Sequence, residues 1–136
     1  DIKYINNKYK KNNISSEVKS YFNDIHKKFK NTTLVICRAG ASTIAENLIA
    51  GLPAIYIPLS HATGNHQQHN AEMIRNCNAG MMLLEKEIFQ KKFLNLLLRL
   101  LNSRELLEEI SGNCKKISNP NASEKLYKLV SGVLSE

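Results

Sequence analysis

An α/β fold built on a parallel sheet is the class this sequence predicts, and three observations carry it. Short continuous apolar runs recur at residues 34–37, 54–57 and 81–84, the pattern of strands covered on both faces. The stretches between them have helical spacing and are long enough for the crossover that parallel strands require. Gly40, Gly51 and Gly80 punctuate the junctions where such units turn. A chain of 136 residues fits one domain of ordinary size, and one domain is the working expectation.

Taken in order, residues 1–13 are rich in lysine and asparagine without periodicity and read as a frayed end. A short strand around Val18 is expected next, and Phe22, Ile25, His26 and Phe29 then recur at helical spacing. Leu34, Val35, Ile36 and Cys37 form the first buried strand. A helix follows from about Ala41, stopped by Gly51 in a left-handed conformation, while Pro53 discourages continuation. Residues 54–57 give the second strand. After Pro58 a polar loop leads into a helix from His66 to about Cys77, closed by Asn78, Ala79 and Gly80, before the third strand at 81–84. The remainder predicts helices over about 87–101, 103–117 and 121–133. Leu106, Leu107, Ile110, Cys114 and Ile117 mark the apolar stripe of the second, and Asn121 with Glu124 resembles a capping box for the third.

Composition excludes several classes. With 43% hydrophobic and 23% charged residues the chain is neither disordered nor fibrous. No apolar run approaches the roughly 20 residues of a membrane-spanning helix. Cys37, Cys77 and Cys114 are odd in number and unpaired in spacing, so they read as buried or half-buried reduced thiols rather than a disulfide framework or zinc site. The formal glycosylation sequons at Asn13, Asn31 and Asn121 are read as chance matches. The net charge of +7 is concentrated early: residues 1–30 carry eight lysines against Asp1, Glu17 and Asp24. Such a segment is drawn to anionic membrane or nucleic acid, although a solvated lysine-rich surface explains it as well. Interleaved aromatic stacking platforms are missing, so no nucleic-acid partner is expected.

Chemistry points to two clusters. Arg38, Ala39, Gly40, Ala41, Ser42, Thr43 and Glu46 lie at a strand-to-helix turn, which aims free helix N–H groups outward beside hydroxyls. A nucleotide diphosphate suits that arrangement, and Glu46, near one face with Ser42 and Thr43, is placed to accept from a ribose diol. Equally open on the motif alone is a plain reading in which Ser42 is an N-cap, Gly40 a tight turn and Glu46 a capping-box or solvated residue. The second cluster is His61, His66, Gln67, Gln68, His69 and Asn70. Its spacing lacks an i,i+4 histidine pair or an acidic ligand, so sugar hydroxyls and an acetamido group suit it better than a metal. A polar helix start is the structural alternative. Both clusters follow the C-terminal ends of predicted parallel strands, the edge where ligands collect in open α/β sheets. No nucleophile, acid/base pair or catalytic triad is evident, so no catalytic residue is assigned, and neither cofactor nor metal is called for.

The combined string from Cys37 through Thr43, Glu46, Ala50 to Ala54, Ile57 and Pro58, Asn65 to Ala71, and Ala79 with Gly80 resembles the MurG family, the bacterial N-acetylglucosaminyltransferases of peptidoglycan synthesis. The match is clear over residues 33–85 and continues in helix order only. It implies a GT-B glycosyltransferase fold, with this chain the later part of the Rossmann-like, donor-binding C-terminal domain. Such enzymes move N-acetylglucosamine from UDP-N-acetylglucosamine to lipid I, with inversion, at the cytoplasmic face of the bacterial cell membrane. By position, Ala41, Ser42 and Thr43 would lie by the diphosphate, Glu46 would hold the ribose, and His66, Gln67 and Asn70 would meet the sugar. Arg38 matches the motif without an assigned contact. The family's acceptor domain and the glycine-rich loop opening its donor domain have no counterpart here, so the chain alone is expected not to catalyse. An excerpt, a degraded frame and half of a split transferase all stay open. So do a non-catalytic module of the same fold and another UDP-sugar enzyme of GT-B shape.

Overall fold

The computed structural model describes residues 1–60 and 63–134, which divide into two compact units, Asp1–Asn31 and Thr32–Glu136. His61 of the second predicted cluster lies outside the described residues.

The first unit departs from the sequence reading. Helix α1, Ile2–Lys11, occupies the stretch expected to be irregular. Its ends explain it: the Asp1 carboxylate accepts from the Tyr4 N–H at 3.4 Å, and Lys8, Lys10 and Lys11 sit at the negative end of the dipole. Asn12 Nδ2 then donates to the Lys8 carbonyl at 2.8 Å, and Asn13 turns left-handed at φ 55°. No strand forms around Val18 among the described residues. There the chain instead wraps an ionic cluster in which Glu17 pairs with Lys19 at 2.6 Å and with Lys28, while both ammonium groups stand over the Phe22 ring at 5.4 and 5.2 Å. These two lysines hold the Glu17 carboxyl down to about 2. The expected helix is a single turn, α2 (Ile25–Lys28), tightening into a 3-10 turn at Phe29–Asn31.

The second unit follows the predicted alternation. Strands β1 (Val35–Cys37), β2 (Ala54–Tyr56) and β3 (Met81–Met82) form a parallel sheet in that order, with Val35 opposite Ala54 and Ile55 opposite Met81. Each strand is shorter than its apolar run, yet the ladder continues past it: Ile57 N–H donates to the Cys37 carbonyl at 2.8 Å and Leu83 N–H to the Tyr56 carbonyl at 3.0 Å. Ile55 and Tyr56 are fully buried, as a central strand covered on both faces requires.

Helices α3 (Ala41–Ala50) and α4 (His66–Asn76) connect the strands. Gly51 ends α3 at φ 65°, in the left-handed region where glycine is cheapest. Beyond β3, a 3-10 turn at Glu85–Glu87 precedes α5 (Lys91–Leu101), α6 (Arg104–Ile117) and α7 (Ala122–Leu134), so the first of the three predicted C-terminal helices starts later than its leucine pattern suggested. Ser103 caps α6 by accepting from Leu106 N–H at 3.2 Å. α6 packs on both α3 and α5 and delivers Ile110 and Cys114 to the core. The Cys114 thiol lies 3.0 Å from the Ala79 carbonyl, and burial pushes it up to about 11. Cys77 is exposed rather than buried, because it stands at the C-terminal end of α4. Among the described residues no helix is long and apolar enough to cross a membrane.

Candidate donor-binding site

Gly40 is the N-cap of α3, at φ −69° and ψ 144°, and it offers no side chain to its own helix. The first intrahelical bond runs from Ile44 N–H to the Gly40 carbonyl at 3.0 Å, which leaves the amides of Ala41, Ser42 and Thr43 ahead of the helical ladder. Ser42 is therefore one residue inside the helix and is not the cap. Ala41, Ser42 and Glu46 are exposed, and Thr43 is half-buried. Among the described residues neither hydroxyl nor the Glu46 carboxylate is taken by a side-chain hydrogen bond, so the capping-box alternative is not the arrangement formed. One turn on, the same helix turns Asn47 inward, where its Nδ2 reaches the Tyr56 hydroxyl at 3.3 Å and the Cys37 sulfur at 3.6 Å. Burial raises both the Cys37 thiol and the Tyr56 phenol, the latter to about 12, so this network stays neutral and fixes α3 against β1 and β2.

The second cluster starts α4. Asn70 Nδ2 donates to the Ala39 carbonyl at 3.1 Å, which ties the first turns of α4 to the residue before Gly40 and brings the two predicted clusters to one edge of the sheet. Its amide nitrogen is thus engaged by the chain. Gln67 turns its Oε1 to the Leu59 N–H at 3.1 Å, leaving its amide nitrogen unused by that bond. His66 is exposed at the start of the helix, after Asn65 in the left-handed region at φ 53°. Gln68 and His69 meet Glu72, at 3.0 Å and 3.9 Å.

Between the clusters lies a network that the sequence did not reveal. Arg38 Nη1 donates to the carbonyls of Ile57 and Pro58, at 3.3 Å each, and meets Glu85 Oε1 at 2.6 Å. The other carboxylate oxygen of Glu85 accepts from Ser60 N–H at 3.2 Å and from the Ser60 hydroxyl. These contacts hold the Glu85 carboxyl down to about 2. A cleft of about 230 Å³ opens beside them, walled by Pro58, Leu59, Ser60, Gln68, Leu84 and Glu85 among others. A second cavity of about 270 Å³ lies on the apolar side of α3, against Ile44, Leu48, Ile49 and Met73. Its lining suits hydrocarbon and offers little to a phosphate.

The pattern of the Glycosyltransferase family 28 C-terminal domain matches residues 2–126. A relative from Rickettsia bellii, named UDP-N-acetylglucosamine--N-acetylmuramyl-(pentapeptide) pyrophosphoryl-undecaprenol N-acetylglucosamine transferase, is 37% identical over 132 residues, covering 97% of this chain and 36% of its own. One of the same name from Rickettsia prowazekii is 44% identical over 105 residues, covering 77% and 27%. The crystal structure of Acinetobacter baumannii MurG superposes with a TM-score of 0.77 at 30% identity, over 88% of this chain and 34% of that one. The chain spans about a third of the length of the relatives it matches. A parallel α/β unit with this helix order, matched along nearly its whole length, belongs to the Glycosyltransferase family 28 C-terminal domain family.

Proposed function

We propose that this chain binds the donor nucleotide sugar, UDP-N-acetylglucosamine, of a transferase that adds N-acetylglucosamine to a lipid-linked muramoyl acceptor in peptidoglycan synthesis. The observation that carries the reading is the start of α3: unladdered amides at Ala41, Ser42 and Thr43, a cap without a side chain, and the free carboxylate of Glu46 one turn on. A pyrophosphate meets N–H donors and the positive end of the dipole there. In transfer, an acceptor hydroxyl attacks the anomeric carbon directly, giving up its proton as its oxygen forms the new glycosidic bond and the bond from that carbon to the β-phosphate oxygen breaks. The same donors stabilise the charge that develops on departing UDP. Glu46 accepts from the ribose hydroxyls. His66, Gln67 and Asn70 face the sugar, Gln67 through the amide nitrogen that Leu59 does not use. The acceptor is held by a further domain of the family's longer enzymes, and the whole acts at the cytoplasmic face of the bacterial membrane.

Calorimetric titration with UDP-N-acetylglucosamine, UDP-glucose and UDP tests this. The first should bind best, and Glu46→Gln should weaken it by about 1 to 3 kcal/mol, the worth of hydrogen bonds to a charged group. Absence of binding by all three ligands, or no effect of the substitution, would refute the assignment.

A further inference from the structure

We infer that Glu85 is a positioning residue for the sugar side of the donor site, acting through the Arg38–Glu85–Ser60 clasp; the inference rests on the donor-binding reading above. The clasp joins the C-terminal ends of all three strands: Arg38 follows β1, Ser60 lies four residues past β2, and Glu85 follows β3. The sheet ladder ends at Ile57, whose N–H donates to the Cys37 carbonyl. Beyond it, residues 58–60 are held by side chains: Arg38 on the Ile57 and Pro58 carbonyls, Glu85 on Ser60, and Gln67 on Leu59 N–H. Glu85 is itself preset, because Glu87 accepts from Leu84 N–H at 2.8 Å and so braces the turn that carries it. Its side chain is 29% exposed, and one carboxylate serves both a guanidinium and a serine. A shift of Glu85 therefore moves Leu59, and with it the orientation of Gln67, without touching the amides that open α3. The clasp thus governs sugar recognition while leaving the diphosphate cradle alone.

Two readouts on the full chain test this, with Glu85→Gln as the principal variant, since glutamine keeps the shape and an acceptor but loses the charge, and Ser60→Ala as the milder one. Amide exchange by NMR, read without ligand, should speed up at least fivefold at Leu59 and Ser60 in Glu85→Gln and stay unchanged at Ile44. Affinity for UDP-N-acetylglucosamine should fall about tenfold while affinity for UDP stays within twofold, and Ser60→Ala should lose affinity in the same selective way but less. Unchanged exchange at both amides, or equal losses for UDP and UDP-N-acetylglucosamine, would overturn the assignment to Glu85. A wild-type chain that binds neither ligand would instead remove the donor reading, and the sugar-side role of Glu85 would go with it; exchange alone then decides whether the clasp exists.

Discussion

At Gly40 the backbone is ordinary extended chain, and a Cβ there would meet nothing closer than Thr43 Oγ1 at 3.8 Å. The fold itself does not need glycine at this position. Gly40→Ala should therefore unfold in urea within about 0.5 kcal/mol of wild type, as expected away from special features. If the amides beyond it cradle a pyrophosphate, the same variant should lose UDP affinity at least tenfold by titration, since the added methyl stands where the ligand approaches. Glu85 gives a pH signature. Its carboxyl is depressed from 4.5 to about 2 in the folded chain by Ser60 and Arg38, so its contribution is complete above pH 4.5 and is lost as pH falls through 2. The stability difference between wild type and Glu85→Gln should accordingly be flat at neutral pH and shrink between pH 4.5 and 2 in urea melts. Glu17 titrates over the same window but is common to both proteins and cancels.

Among the elements, Gly80 stands where Tyr56 and Ala54 of β2 and Ile74 of α4 come together. An added Cβ would sit 2.8 Å from the Tyr56 ring, 3.0 Å from Ile74 Cγ2 and 3.2 Å from the Ala54 carbonyl, so backbone and core must both shift. Gly80→Ala should cost about 1 to 3 kcal/mol, as overpacking does, measured by thermal or urea unfolding. It contrasts with Gly40→Ala, whose cost should fall on ligand alone. The thiols offer a further check on how α4 and α6 are seated. Cys77 should react with a thiol reagent in the native protein, and Cys114, fully buried and raised to about 11, only after unfolding.

Over the whole molecule, basic residues are concentrated in the first unit, and we propose that they make peripheral contact with an anionic membrane face. Binding to vesicles containing anionic lipid should weaken steeply as salt rises, because such attraction falls off within a Debye length of about 10 Å at 0.1 M. Salt-independent binding, or none, would leave those lysines as a solvated surface. The sequence by itself determined the alternating order of β1, α3, β2, α4 and β3 and the placement of both clusters at strand ends, because apolar runs, helical spacing and glycine stops are local signals. It did not yield α1, where Ile2, Ile5 and Tyr9 do recur at helical spacing between the caps at Asp1 and Asn12 but are sparse among lysines and asparagines, nor the cluster of Glu17, Phe22 and Lys28 that replaces a strand. Only tertiary structure turned Asn70 onto Ala39 and joined Arg38, Ser60 and Glu85 into one clasp. Those residues meet because a parallel sheet gathers its strand ends at one edge, and no spacing along the chain encodes which side chains find each other there.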